Sequence, residues 1–387
     1  MIAKSKVPQI RFKGFGGEWE EKLLNEISSS IFDGTHQTPT YTETGIPFFS
    51  VENLISRSKN KFISNIDHIE ATKNNKPERN DVLITRIGNI GFSKVIDWNY
   101  SFSIYVTLAV IKQSKYFNSY FLTYNLQSSR YQKEILTNSL LSAVPCKINM
   151  NELRKTKVLI SLSLNEQTKI GNYFQNLDKL IEQKEKKQQK LKQFKKAMLD
   201  KMFPKNGADT PEIRFKGFSG EWVDNKLVEV VDFIGTGKST FNLSIEKTEN
   251  KLYPVLGSRT IIGYDSEYDY LGNFILTARV GENAGRLYKY SGKVKITDNT
   301  VYIKAQNLDY FFYFLINYDL KKLAFGTGQP LIKSSELSNL KLILPNKTEQ
   351  TKIGNYFQKL DKLTDLQLQE IEKLKNIKKA SLDKMFV

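Results

Sequence analysis

Along residues 171–203 apolar side chains fall at Phe174, Leu177, Leu180, Ile181, Leu191, Phe194, Met198 and Met202. Their steps are mostly three and four, the period of one helical face. Proline is absent there and glycine occurs only at Gly171. The spacing predicts a helix of about 33 residues, roughly 50 Å long at ~1.5 Å per residue, stopped by Pro204. The same pattern returns at Phe357, Leu360, Leu363, Ile371, Leu374, Ile377, Leu382 and Met385. A single apolar stripe on a long helix needs cover, and the two helices can cover each other as a coiled coil. Lys184 and Gln188 interrupt the first seam, and their counterparts in the second are Gln367 and Ile371. Polar seam positions either fix register or simply weaken packing. Elsewhere the pattern is that of short strands. Residues 81–91 and 273–285 each read as a strand running into a Gly/Asn turn, with further strand runs at 104–111 and 300–303.

The recurrence extends to identity. Residues 8–19 (PQIRFKGFGGEW) and 211–222 (PEIRFKGFSGEW) agree at ten of twelve positions, at an offset of 203. Residues 166–180 and 349–363 agree at fourteen of fifteen, at an offset of 183, and 195–203 and 378–386 at eight of nine. The chain is therefore two copies of one unit, 8–203 and 211–386. The ends match, and the middles differ in sequence and by 20 residues in length. Matching parts are expected to face the same surface twice, divergent parts two different things.

Composition narrows the partner. Hydrophobic residues at 40% and charged residues at 26% suit a folded chain. Lys+Arg outnumber Asp+Glu 58 to 41, giving a net charge of +17. Such an excess draws polyanions, nucleic acid first among them; its alternative is a lysine-rich bias serving solubility. The single cysteine, Cys146, excludes an internal disulfide. No apolar run approaches membrane length, and a cytoplasmic chain without membrane association is expected. Only His36 and His68 are present, and no metal-ligand spacing appears. Gly235-Thr-Gly-Lys-Ser-Thr240 imitates a phosphate loop, but Asp232 stands where that motif needs its first glycine. No Asn-Pro-Pro-aromatic segment of an adenine N6 methyltransferase occurs. A non-catalytic chain is expected.

These pieces, in this order, resemble the specificity subunits of type I restriction–modification systems over nearly the whole chain. The resemblance rests on Ile-Arg-Phe-Lys-Gly-Phe-x-Gly-Glu-Trp at 10–19 and 213–222, then Asp33-Gly-Thr-His-Gln-Thr-Pro39. It continues with the Thr85-Arg86-Ile-Gly and Ala278-Arg279-Val-Gly turns, Gly326-Thr-Gly-Gln-Pro-Leu331 before Leu340–Pro345, and Glu-Gln-Thr-Lys-Ile-Gly before each long helix. The first unit departs from the pattern, reading Leu162-Ser-Leu-Asn165 where a proline is expected, and Ser142-Ala-Val-Pro-Cys146 in place of the glycine-rich turn. The resemblance implies an α+β fold with an internal twofold repeat: two target-recognition domains separated by two long antiparallel coiled-coil helices. The divisions are a recognition domain over 1–164, a spacer helix over 165–203, a linker over 204–210, a second domain over 211–347 and a second helix over 348–387. It further implies that each domain reads half of a bipartite asymmetric site in double-stranded DNA. The helices set the gap and dock two methyltransferase subunits, which motor–nuclease subunits join. The chain itself carries no cofactor; S-adenosylmethionine and ATP belong to the partner subunits.

Base edges in the major groove are read by Arg, Asn, Gln, Lys, Ser and Thr, and such residues in turns are the candidates. In the first domain they are Thr35, His36, Gln37, Thr38, Arg86 and Asn89. In the second they are Thr236, Lys238, Ser239, Thr240, Ser258, Arg259, Arg279 and Asn283. Arg86 and Arg279 match in position, so they are either structural or grip phosphate in both halves. His36 either reads DNA or caps its own turn, and Trp19 and Trp222 belong to cores. For helix–helix or partner contact the candidates are Phe174, Leu177, Ile181, Leu191, Phe194, Met198, Phe357, Leu360, Ile371, Leu374 and Ile377. An autonomous nucleotidase or nuclease and a protein-only scaffold are the rival classes.

Overall fold

The computed structural model describes residues 6–56, 58–205, 208–258, 260–323 and 330–386. They form two compact units: Met1–Glu185 with Glu370–Val387, and Lys186–Gln369. Each boundary falls inside a long helix, Leu164–Met202 or Lys347–Met385, each of 39 residues.

In the first unit a four-stranded antiparallel sheet runs in the order Ile31–Asp33, Leu108–Ile111, Val82–Thr85, Ser93–Val95. Side chains alternate across its faces. Val82, Ile84, Ala109 and Ile111 join a core with the helices, while Leu83, Leu108 and Val110 join a second core on the other face. A second small sheet, Tyr41–Thr42, Phe62–Ile63, Ile46–Phe49 and Ser103–Ile104, ends in a parallel pair. The strand run expected over 104–111 is in fact two strands in different sheets. A turn at Tyr105, where Leu108 N donates to Tyr105 O (2.9 Å), breaks it. The break lets one chain segment edge the smaller sheet and run through the interior of the other.

The second unit carries one six-stranded sheet, ordered Phe233–Thr236, Thr300–Lys304, Tyr270–Ala278, Leu287–Ile296, Tyr253–Leu256, Ile261–Asp265. The alternation recurs: Ile275, Val301 and Ile303 face the helical core, and Phe274, Leu276 and Tyr302 the other. In each unit a two-stranded pair, Glu20–Leu23 with Lys157–Ile160 or Val223–Lys226 with Lys341–Leu344, leads the chain into its long helix.

The helices begin before the apolar period does, because they are capped there. Ser163 Oγ accepts from Glu166 N (3.3 Å) and Asn346 Oδ1 from Glu349 N (3.0 Å). In the first unit Lys378 meets Asp178 (2.6 Å), Lys375 meets Glu185 (2.6 Å) and Lys184 meets Glu370 (2.7 Å). Position 178 meets 378 while positions 184 and 185 meet 370 and 375, so the helices run antiparallel. In the second unit the equivalent of the first of these pairs is Lys195 with Asp361. Tyr124 donates to Asp178 (2.8 Å) and Tyr313 to Asp361 (2.6 Å), completing the match.

The repeated motifs are spent largely on joining each domain to its helix. Glu166 and Glu349 are buried, and each receives a two-toothed ion pair, from Arg11 (2.6 and 2.8 Å) and from Arg214 (2.7 and 2.7 Å). The same arginines donate to Gly17 O and Gly220 O, both at 2.5 Å. Gln167 and Gln350 satisfy backbone groups of the adjoining loops, and Phe174 and Phe357 are wholly buried. The expectation that matching ends face a shared external surface therefore applies only to the residues left over, such as Lys13, Asn172 and Lys216, Asn355, which are exposed.

The apolar stripe is used unevenly. Phe174, Ile181, Phe357, Leu360 and Ile371 are buried; Leu177, Leu191, Met198 and Leu374 are half-buried. Phe194 and Ile377, identical in repeat position, are exposed at 47% and 39%. No helix among the described residues is long and apolar enough to cross a membrane.

Candidate nucleic-acid interface

Both units build the same corner at one end of the sheet. In the first unit Gly34 N donates to Leu108 O (3.3 Å), Thr35 N to Ile104 O (3.1 Å), Tyr105 N to Phe49 O (2.9 Å) and Arg86 N to Thr107 O (2.9 Å). In the second, Gly237 N donates to Thr300 O (3.0 Å), Ser239 N to Ile296 O (3.1 Å), Thr297 N to Leu256 O (3.1 Å) and Arg279 N to Asn299 O (3.0 Å). The arginine carbonyls also match, accepting from Ile148 N (2.9 Å) and Ile332 N (2.8 Å). Glycine is required at the crossing. A Cβ on Gly34 would lie 2.1 Å from Ile104 O, and one on Gly237 2.2 Å from Ile296 O.

On this frame the first-unit candidates gather. Thr35 is half-buried and donates to Gln37 O (3.3 Å), while His36, Gln37 and Thr38 are exposed. His36 Nε2 lies 3.1 Å from Asp33 Oδ2, so it holds its own turn. Thr38 reaches Tyr105 Oη (3.4 Å). A groove of about 480 Å³ joins the two loops, lined by Thr38, Tyr41, Lys61, Gly88, Tyr105 and Thr107. Asn89 is exposed on the turn beyond, and its carbonyl accepts from the Thr85 hydroxyl. Arg86 differs from these. It is 7% exposed and donates to Asp33 Oδ2 (2.8 Å), Val106 O (3.0 Å) and Ile148 O (3.2 Å). Burial works against its charge and the Asp33 carboxylate supports it.

In the second unit Thr236 ends its strand half-buried, and Lys238 and Thr240 are exposed. Ser239 Oγ accepts from Ile296 N (3.0 Å) and so holds the frame. Ser258 is half-buried beside Leu256 at the same end of the sheet. Arg279 is half-buried, and its Nε is enclosed without a partner among the described residues. Asn283 lies in the turn after it, lining a separate cavity of about 400 Å³ with Arg286 and Lys321. Arg259, and Gly326 to Gln329 of the glycine-rich turn, lie outside the described residues.

Gly235–Thr240 passes from strand to extended loop and opens no helix, whereas a phosphate loop aims its amides from a helix N-terminus. No cluster of three metal-ligating side chains occurs among the described residues. Sequence reasoning missed Tyr41, Lys61 and Tyr105. They reach the groove through the parallel pairing of Ile46–Phe49 with Ser103–Ile104, and no local pattern marks it.

A family model for the type I restriction modification DNA specificity domain matches residues 17–193 and again 219–376. The chain belongs to that family. Two matches to one model, covering most of the chain, are the internal repeat seen from outside. Similar proteins include the Type I restriction enzyme EcoprrI specificity subunit of Escherichia coli, 28% identical over 141 residues, 36% of this chain and 35% of that one. The MjaVIII specificity subunit of Methanocaldococcus jannaschii is 28% identical over 254 residues, 57% of this chain and 59% of its own length. The matches thus span about a third and three fifths of those relatives. Among solved structures, a type I S subunit from M. genitalium superimposes with a TM-score of 0.69 at 16% identity, over 98% of this chain and 99% of that one. A chain from a study of type I R-M complex assembly and conformational transition gives 0.55 at 17%, over 95% and 97%. At such identities the likeness is one of fold: two α+β domains and long antiparallel helices. As a type I specificity domain protein, the chain is of a DNA-recognition family.

Proposed function

We propose that this chain is the non-catalytic DNA-specificity subunit of a type I restriction–modification complex. Each α+β domain reads one half of a bipartite, asymmetric site in double-stranded DNA. The paired helices set the gap and offer near-equivalent surfaces to two methyltransferase subunits, directing adenine-N6 methylation, or restriction when motor–nuclease subunits join. S-adenosylmethionine and ATP are bound by those partners.

The observation that carries this reading is the duplicated corner. Its backbone frame is the same twice, yet the side chains placed on it differ: Asp33 against Thr236, Val106 against Asp298, Val51 against Ser258. Constant backbone with changed side chains is how two sequences are read by one architecture, since base edges are discriminated by side-chain donors and acceptors. The exposed pairs Leu180 and Ile377 in the first unit, and Leu363 and Phe194 in the second, occupy equivalent repeat positions. They support two like docking faces.

The test is a methylome. The chain is expressed with its methyltransferase in a host lacking adenine methylation, and modified adenines are mapped. One split motif that depends on this chain is expected. Replacing residues 20–160 with those of a relative should change one half-site only. No motif from a soluble, active complex would sink the specificity role, and change in both halves would sink the modular reading.

A further inference from the structure

The two corners are not equivalent in charge. In the first, Arg86 is tied to Asp33 and to two carbonyls, with 8% of its side chain accessible. In the second, the residue at the Asp33 position is Thr236. The match is fixed by Gly34 and Gly237 crossing the same way, and by Asp33 pairing with Ala109 as Thr236 pairs with Val301. Arg279 therefore has the arginine's place without the carboxylate. Its Nε is enclosed and unbonded, and it forms no ion pair among the described residues. Asp298, at the position of Val106, is exposed and makes none with it. Lys238, an extra residue between Gly237 and the Thr35 counterpart Ser239, is exposed. Counting formal charges, Asp33 and Arg86 cancel, whereas Lys238 and Arg279 outweigh Asp298 by one positive charge on the same frame.

We propose that Arg279 and Lys238 form a DNA phosphate-binding corner present only in the second unit, while Arg86 is a structural brace. This rests on the DNA-specificity reading above. Arg279 is half-buried with no carboxylate partner among the described residues, and a tetrahedral phosphate offers two oxygens to the planar guanidinium at once. The neighbouring lysine adds a point charge. Contacts of this kind fix the register of the protein on the duplex and carry no base identity. The two half-sites are then held unequally, the second more electrostatically than the first.

The test uses the full chain in complex with its methyltransferase, on a duplex carrying its mapped motif. Affinity is measured between 50 and 200 mM salt, where each lost phosphate contact lowers the salt slope by about 1. Arg279→Gln, Lys238→Gln and Thr236→Asp are each expected to weaken binding and to lower the slope by about 1, with the methylated motif unchanged. Thr236→Asp rebuilds the Asp33–Arg86 pair in the second unit, so it should fold as well as the parent. Arg86→Gln should lower the melting temperature and leave the slope of the folded complex alone. An unchanged slope in Arg279→Gln and Thr236→Asp overturns the proposal. Relaxed specificity in the second half-site overturns the phosphate assignment in favour of base reading. Loss of folding in Thr236→Asp shows that Thr236 and Arg279 do not share a corner. If the parent complex shows no selective binding, the DNA-specificity reading itself fails, an outcome distinct from the others.

Discussion

Glu166 and Glu349 show what a single repeated residue does. Each is a carboxylate with no accessible surface, held by one arginine whose own side chain is 13% or 17% accessible. Hydrogen bonding to Glu349 raises the pKa of Arg214 further above its ordinary value. Removing the arginine strands a buried charge, which costs on the order of 3 kcal/mol. Arg214→Met is therefore expected to destabilise the second unit by about that amount in a denaturant melt; a loss below about 1 kcal/mol would mean water already reaches Glu349. His68 makes the opposite kind of contribution. It is 7% exposed, lies 2.8 Å from Ser103 Oγ, and burial, with help from Lys76, pushes its pKa below 6.5. The folded state thus resists a proton that the unfolded chain accepts. Its stabilisation is full above pH 6.5 and is lost as pH falls through the lowered folded value. Thermal melting at pH 7.5 and 5.5 should show a larger drop for the parent than for His68→Gln, and equal drops would contradict it.

At the scale of elements, the long helices were legible from periodicity and repeats, including their ends at Pro204 and near Met385. Gly171 and Gly354 look like flaws in that pattern, since glycine in a helix costs about 1 kcal/mol against alanine. They are instead close-approach sites. A Cβ at Gly171 would meet Asn118 Oδ1 and Phe121 N at 2.9 Å, and one at Gly354 would meet Tyr310 N at 2.8 Å. Asn118 caps the helix Ser119–Gln127, so these glycines let a domain helix end against the long helix. Gly354→Ala should lower stability although alanine favours helix; a rise in melting temperature would show that the neighbour yields. What escaped the sequence is whatever depends on distant pairing. Arg86 finds Asp33 across 53 positions, so its burial left no local trace, and an eight-residue apolar run concealed a turn between two sheets.

At the scale of the whole chain, the last residues of each repeat belong to the core of the unit that the rest of that repeat does not build. Met202 and Phe203 are buried in the second unit with Tyr310 and Phe357, and Met385 and Phe386 in the first with Trp19, Phe121 and Phe174. The repeat at 195–203 and 378–386 was legible as a repeat, but nothing in one copy says that its Phe packs in the other unit. The backbone seals the join, Ile10 N donating to Lys384 O (3.0 Å) and Ile213 N to Lys201 O (2.8 Å). The first unit is thereby assembled from chain segments separated by the whole of the second, which is itself one continuous segment. Truncating a buried phenylalanine to alanine costs about 3–5 kcal/mol. Phe386→Ala is expected to expose the first unit to limited proteolysis while fragments of the second persist, and Phe203→Ala to do the reverse. If both substitutions opened both units together, the two would be one cooperative folding unit rather than two separately stabilised ones.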